Sequence, residues 1–347
     1  MKILYLINSL ILGGAEKLLT DTVVYVNEQK KDVEQYIFTL YDKEIMHTIP
    51  DNIKVECLYI NKFNAMRKIM YMRSFIKKNK ISIVHAHLFE AQLLSRFLKT
   101  KDVKIINSYH TGFHNKNSIE FSQLRLIADK ITATKLDYVF FVSNKVQQDI
   151  LSQINFRCRF SILPNFCNPT FYYNYRFKAD DNLKIVMVGN LRQQKNYHLL
   201  LAALAKINRN ISVDIYGEGD TRNELSKIIE HNRLNVRLKG KQKITSDLLS
   251  KYDLFLMTSK HEGMPVSLIE AITTGLPSLL NDLDELHETA NDSAIYFSKH
   301  FVEDLVQKLE YIASNKTVLK ELSLNTKKTA KKYSIEKYMN QLFNIYK

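Results

Sequence analysis

Short apolar runs rich in β-branched residues alternate with longer segments of helical period along the whole chain. In the first half the runs fall at residues 2–7, 35–40, 82–87, 104–109 and 137–143. Each is as long as a strand and apolar on successive residues, the pattern of strands covered on both faces of a parallel sheet. The pattern restarts at 184–188, 212–216, 236–239, 254–258 and 278–281, with helices expected at 197–207, 221–232 and 265–274. Between the two series, residues 164–182 hold Pro164, Asn165, Asn168 and Pro169 without a clear period, which reads as a linker. Strand-helix alternation implies right-handed crossovers, so the fold class is α/β, with two doubly wound, Rossmann-like domains. Open sheets of this kind bind ligands outside the carboxyl ends of their strands. Two such domains facing each other would form a cleft there, and chemistry-bearing residues should follow strands directly.

Length and composition narrow this little further. A chain of 347 residues supports two domains, and 9 Gly with 5 Pro leaves little room for disordered tracts. Cys57, Cys158 and Cys167 are scattered, without metal-ligand spacing, so neither a disulfide framework nor a zinc site is expected and a reducing cytoplasm fits. Asn8 and Ser9 interrupt the apolar amino terminus, which therefore reads as a buried strand rather than a signal peptide. No apolar stretch reaches the roughly 20 residues that span a bilayer. The net charge of +14 lies partly in residues 63–80, where Met66, Ile69, Met70, Phe75 and Ile76 sit among Arg67, Lys68, Arg73, Lys77, Lys78 and Lys80. Such a helix either lies peripherally on an anionic membrane or is an ordinary surface helix with solvated lysines. No aromatic-and-basic motif of a nucleic-acid module is present, so nucleic acid is not an expected partner.

The densest chemistry follows the run at 254–258. In His261-Glu262-Gly263-Met264-Pro265-Val266-Ser267-Leu268-Ile269-Glu270, Pro265 falls where a first helical residue would, with Gly275 and Pro277 beyond the last apolar repeat. Free amides at that helix start suit a phosphate or a polar sugar. Glu262 can accept hydrogen bonds from sugar hydroxyls, and Glu270 two from a ribose diol. The plainer alternative makes both surface carboxylates, but Glu270 stands between Ile269 and Ala271, where an unpaired charge is costly. After the run at 184–188, Gly189 leads to Arg192 and Lys195, either exposed loop charges or a cationic pair for an anion. Gly13-Gly14 and Gly217 follow runs as well, and either admit a ligand close to the backbone or make plain turns. No GxGxxG follows residues 2–7, which argues against a nicotinamide enzyme. His85 and His87 read as strand-end residues, since no further metal ligand surrounds them. His110 follows 104–109 directly, with His114 beyond it.

Taken together, these strings resemble the family 4 glycosyltransferases, which have the GT-B fold of two Rossmann-like domains facing across a cleft. The likeness lies in Gly13-Gly14-Ala15-Glu16, the Gly189 to Lys195 segment, Tyr216-Gly217-Glu218-Gly219 and above all the two glutamates flanking EGMP with the following Gly275-Leu276-Pro277. Val142-Ser143-Asn144 and Pro164-Asn165 match more weakly. The resemblance implies that Glu262 contacts the donor sugar and Glu270 the ribose, within a donor-binding string of Gly263, Met264, Pro265 and Val266. It gives Arg192 and Lys195, beside Gly189, to the diphosphate, His110 to the sugar, Gly217 to the neighbourhood of the base, and Gly13 and Gly14 to the donor diphosphate or the acceptor. It further implies an acceptor domain at 1–165, a donor domain at 183–330, and a last helix at 334–347 that packs back on the first. One departure stands out: the family's glycine-rich loop is replaced by Asn281-Asp282-Leu283-Asp284-Glu285-Leu286, where Glu285 or Glu288 would stand in.

The implied reaction is transfer, with retention of configuration, of a sugar from a nucleotide-diphosphate donor, UDP being the expected nucleotide, without a bound metal or other cofactor. The implied acceptor is a lipid-linked glycan or polysaccharide in bacterial surface-glycan synthesis, such as capsule, exopolysaccharide or O-antigen, at the inner face of the membrane. A nucleotide-sugar epimerase of the same fold and a non-catalytic assembly protein are the alternatives. Retention of Glu262, Arg192 and Lys195 favours transfer.

Overall fold

The computed structural model describes the chain apart from residues 12, 42–43, 46–47, 113–122, 179–181 and 300 and the side chains of 123–125. In chain order the first part comprises β1 (Lys2–Ile7), α1 (Gly14–Gln29), β2 (Glu34–Thr39), β3 (Lys54–Cys57), α2 (Ala65–Asn79), β4 (Ile83–His87), α3 (Phe89–Arg96), β5 (Lys104–Tyr109), α4 (Gln123–Thr132), β6 (Tyr138–Phe141), α5 (Asn144–Leu151) and β7 (Arg159–Ile162). There follow β8 (Leu183–Val188), α6 (Tyr197–Leu204), β9 (Ile211–Tyr216), α7 (Arg222–His231), β10 (Val236–Gly240), α8 (Ser246–Leu249), β11 (Leu254–Met257), α9 (Val266–Thr274), β12 (Ser278–Asn281), α10 (Asp284–Ala290), β13 (Ala294–Phe297), α11 (Val302–Ser314), α12 (Val318–Ala330) and α13 (Ile335–Tyr346). The chain divides into two compact units, Met1–Asn165 with Tyr338–Lys347 and Phe166–Lys337.

The first unit is built on a parallel sheet in the order β3-β2-β1-β4-β5-β6-β7. Beyond Lys2, β1 is fully buried, as is β4, so their uninterrupted apolar runs are explained by helices on both faces. The sheet reverses direction between β1 and β4, which places the loops after β1, β4 and β5 at the switch point. Sequence periodicity misses β3 and β7, the two edges, because an edge strand need bury only part of its length. KVEC has an exposed first residue and three half-buried ones, and RFSI is exposed and half-buried.

Two polar arrangements anchor this unit. Arg96 and Asp129 form an ion pair of 2.6 Å with both side chains wholly buried, and Arg96 also donates to Tyr109 Oη at 2.9 Å and Thr132 Oγ1 at 2.8 Å. The end of α13 returns to the sheet: Tyr346 Oη lies 2.6 Å from His85 Nδ1, and Lys104 Nζ donates to the Ile345 carbonyl. On α2, Ile69, Met72 and Ile76 face inward, while Phe63 just before it and Met66 and Met70 within it stay 87%, 70% and 57% exposed among the basic side chains.

The second unit has a parallel sheet in the order β10-β9-β8-β11-β12-β13, with its switch point between β8 and β11. Leu183, Ile185 and Met187 of β8 and Ile211, Val213 and Ile215 of β9 pack into one core with Leu200, Leu225, Leu305 and Leu309. Its edge strand β13 is half-buried along most of its length and was again illegible by period. Residues 166–178, linker-like in sequence, belong to this unit. Phe171 and Tyr175 are buried, and the Asn174 and Tyr175 amides donate to the Thr274 carbonyl at the end of α9. Gly275 closes that helix at φ +89°, and a Cβ there would stand 2.4 Å from the Tyr173 ring.

Two stability predictions follow from this packing. Replacing Arg96 with Met leaves Asp129 charged and buried, and urea titration should show a loss of about 3–5 kcal/mol. Burial holds the imidazole of His85 down at about 3 and that of His110 at about 4, with His87 also well below its ordinary value. The unfolded chain takes up these protons near pH 6.5 and the folded one does not, so stability present above that pH falls as the pH drops toward 4. The midpoint of urea unfolding followed from pH 7.5 to 4.5 checks this, and the fall should be shallower in His85→Gln.

Candidate functional site

In the second unit the turns after β8 and β9 interlock. Gly217 sits at φ +146°, and a Cβ there would lie 2.0 Å from the Gly189 carbonyl oxygen. Only glycine allows the two backbones to approach this closely. The Gly189 amide donates to the Tyr216 carbonyl, that of Leu191 to Glu218 and that of Gly217 to Gly240. Both glycines thus have a reason within the protein, and they set the exit of β8 beside that of β9. A Cβ on Gly189 would meet the Lys195 stem at 3.2 Å, so this glycine also leaves room for the lysine to cross the strand end.

The loop from Gly189 to α6 is then stitched to the loop after β11, the neighbour of β8 in the sheet. Thr258 Oγ1 donates to the carbonyls of Lys195 and Asn196 at 2.9 and 3.0 Å, Gln194 Nε2 to that of His261 at 2.8 Å, and the Lys260 amide to that of Gln194. Asn196 sits at φ +53° between the loop and the helix, a left-handed conformation that asparagine tolerates better than most residues. These bonds bring Lys195 Nζ to 2.6 Å from Glu262 Oε1, with the lysine 19% and the glutamate 8% exposed. The cationic pair expected of Arg192 and Lys195 is therefore not a pair of free charges. Lys195 is matched by Glu262, whereas Arg192 is exposed and has no ion pair among the described residues.

Glu262 is braced in turn. Its amide donates to Glu285 Oε1 at 2.9 Å, and Asn281 Nδ2 donates to the Ser259 carbonyl at 2.8 Å. Glu285 is 3% exposed. It therefore holds the loop in the segment that lacks the glycines of the family pattern, a structural task that the sequence left unassigned. Gly263, Met264 and Pro265 are buried and Val266 half-buried. Pro265 caps α9 in an extended conformation, one residue before the helix rather than inside it. The opening amides of such a helix have no intrahelical acceptor. Glu270 is 4% exposed on the same helix, so it is no surface carboxylate.

The first unit presents a different kind of strand end. His87, the last residue of β4, places Nδ1 2.9 Å from Nε2 of His110, which follows β5, and the two rings stack at 5.2 Å. Both imidazoles are held neutral at pH 7 by burial. At the end of β1, the neighbour of β4, Asn8 donates from Nδ2 to Glu90 at 2.5 Å and accepts the Ala91 amide. Asn8 and Glu90 escaped the sequence reading, although a polar residue ending an apolar strand was a signal for Asn8. Gly13 caps α1 in an extended conformation, and a Cβ there would coincide with the Glu16 carboxylate. The space that this glycine leaves is thus taken up by Glu16, the third residue of the helix. Gly14 is exposed. Ser143 is fully buried and caps α5 by accepting the Val146 amide, and His114 lies outside the described residues. Among the described residues no cluster of His, Cys, Asp and Glu is arranged to hold a metal ion.

Comparison with known proteins agrees with this arrangement of two sheets. Residues 12–171 match the family model described as Glycosyltransferase Family 4, and residues 174–333 that described as Glycosyl transferases group 1. The chain is 23% identical over 300 residues to the poly(ribitol-phosphate) alpha-N-acetylglucosaminyltransferase of Staphylococcus aureus (strain COL), covering 82% of this chain but 59% of that longer protein. It is 23% identical over 353 residues to a Campylobacter jejuni alpha-1,4-N-acetyl-D-galactosaminyltransferase whose name specifies a diphosphoundecaprenol-linked glycan, covering 96% of this chain and 95% of that one. Among solved structures, Anabaena HepE in complex with UDP superposes with a TM-score of 0.80 at 16% identity, over 100% of this chain and 99% of that one. The chain belongs to the family 4 glycosyltransferases and has their GT-B fold.

Proposed function

We propose that this glycosyltransferase takes its sugar from a nucleoside diphosphate donor, UDP being the favoured nucleotide, and passes it with retention of configuration to a lipid-linked or polysaccharide acceptor of a bacterial surface glycan. The observation that carries the donor assignment is the Lys195–Glu262 pair at the switch point of the second sheet, with Arg192 exposed close by in sequence and α9 starting four residues after Glu262. A diphosphate arriving there competes with Glu262 for the ammonium group. Once Lys195 turns to phosphate, the Glu262 carboxylate is released to accept hydrogen bonds from sugar hydroxyls. Glu270 takes the ribose diol. UDP in the HepE structure supports the choice of nucleotide, and the undecaprenol-linked substrate in the name of the Campylobacter relative supports the acceptor class.

In this proposal the acceptor oxygen bonds to the anomeric carbon as the bond from that carbon to the phosphate oxygen breaks. The acceptor hydroxyl proton passes to the departing phosphate oxygen on the same face. Arg192, Lys195 and the α9 terminus offset the charge that grows on the diphosphate, and no metal or other cofactor is assigned to the step. His110 is assigned to the sugar, as the family resemblance implies.

The acceptor class also gives a role to the outer face of α2. Phe63, Met66 and Met70 are exposed beside Arg67, Lys77 and Lys78, and among the described residues no helix is long and apolar enough to cross a membrane. The reading is a peripheral seat on an anionic bilayer, at its inner face, with apolar side chains inserted and basic ones at the headgroups.

Two measurements test these assignments. In a thermal-shift panel of UDP, GDP and ADP, one nucleotide at 100 times its Kd should stabilise the protein by about 2.7 kcal/mol. Glu270→Ala should abolish that shift, and Lys195→Ala should lower kcat/KM by about 10²–10³; no shift with any nucleotide would remove the donor assignment. In sedimentation with vesicles containing phosphatidylserine, the chain should pellet with them, and Arg67→Glu/Lys77→Glu/Lys78→Glu should weaken binding by about 1 kcal/mol per lost base. Equal binding to neutral vesicles would dismiss the electrostatic seat.

A further inference from the structure

The three histidines at the ends of β4 and β5 are chemically unequal. His85 uses both ring nitrogens, Nδ1 at 2.6 Å from Tyr346 Oη and Nε2 at 2.7 Å from Ser108 Oγ. His87 uses one. Its Nδ1 faces His110 Nε2 at 2.9 Å, while its Nε2 is buried and has no hydrogen-bond partner among the described residues. His85 cannot supply that partner although its ring lies 4.4 Å away, because both of its nitrogens are committed elsewhere.

This asymmetry fixes a proton. Both rings are neutral, so each carries one N–H, and the contact between them needs one donor and one acceptor. If His110 donated from Nε2, His87 would have to carry its own proton on Nε2, as a buried N–H with nothing to receive it. If His87 donates from Nδ1, the buried Nε2 is left with only a lone pair. An orphaned N–H is the rarer and costlier defect. His87 therefore donates, and His110 must hold its proton on Nδ1, the nitrogen turned away from His87.

We infer that His87 is a positioning residue that locks His110 as a neutral Nδ1–H tautomer, so that His110 offers a hydrogen-bond donor to a ligand oxygen and not an acceptor. The inference rests on the reading of His110 as a ligand-contacting group, but the tautomer itself stands on the geometry of the first unit. At neutral pH the site thereby gains a donor without a charge. The oxygen it suits is one with a free lone pair, such as a sugar hydroxyl or a phosphate oxygen of the donor.

Two-bond proton–nitrogen correlation spectra of the full chain labelled with ¹⁵N-histidine read the tautomer directly, with the His110 signals assigned by their loss in His110→Gln. The wild type should show His110 protonated at Nδ1 by a margin of about tenfold or more. His87→Leu should move His110 toward the Nε2–H form and raise the KM for the sugar donor more than it lowers kcat. His87→Asn, whose amide nitrogen can donate from nearly the same place as the ring Nδ1, should restore both. A wild-type His110 protonated at Nε2 would overturn the inference without any variant having to fold, as would a tautomer unmoved by His87→Leu. If the tautomer is as stated and His110→Ala leaves donor KM and kcat unchanged, the lock stands as geometry while the placing of His110 on the ligand falls, and with it the functional role of His87.

Discussion

The contact between Lys195 and Glu262 is the constraint around which the second unit is arranged. An ammonium and a carboxylate 2.6 Å apart and mostly withdrawn from water are stable only if both are held, since removing either leaves a charge with poor solvation. The holding is done by close backbone packing and by side chains bonded to backbone. Gly217 lets the β9 turn press on the β8 turn, Thr258 and Gln194 join the β8 loop to the β11 loop, and Glu285 pins the amide of Glu262 itself. The pair thus leaves an ammonium group and a carboxylate neutralising each other at the switch point of the second sheet. Under the proposed function, an anionic ligand that claimed the lysine would release the glutamate at the same moment.

In the first unit, burial holds His85, His87 and His110 neutral, and the order in which their nitrogens are satisfied decides where each proton sits. The end of the chain takes part, because Tyr346 of α13 occupies His85 and so removes it as a partner for His87.

Much of the fold was legible because a strand covered on both faces must be apolar along its whole length. The runs at 2–7, 104–109 and 278–281 coincide with β1, β5 and β12 to the residue, whereas of the four edge strands only β10 was read and β3, β7 and β13 were not. Glycine and proline marked turns reliably but not their purpose. Gly13 makes room for the Glu16 carboxylate and Gly217 for the backbone of Gly189, neighbours that the local sequence does not name. The segment from 166 to 178 lacked a period because it is an irregular strap whose bonds run to α9, a helix about a hundred residues further on.

The sequence by itself determined the two α/β series, the strand ends at which chemistry-bearing residues stand, and the family strings around Gly189 and Glu262. Those are local properties, set by periodicity, by helix boundaries and by residue type. Only the tertiary structure decided which of those residues touch. Lys195 meets Glu262 because β8 lies beside β11 although β9 and β10 intervene in the chain, and His87 meets His110 because β4 lies beside β5. A charge pair or a shared proton depends on distances of a few ångströms between segments far apart in sequence, and strand order, which no single segment encodes, sets those distances.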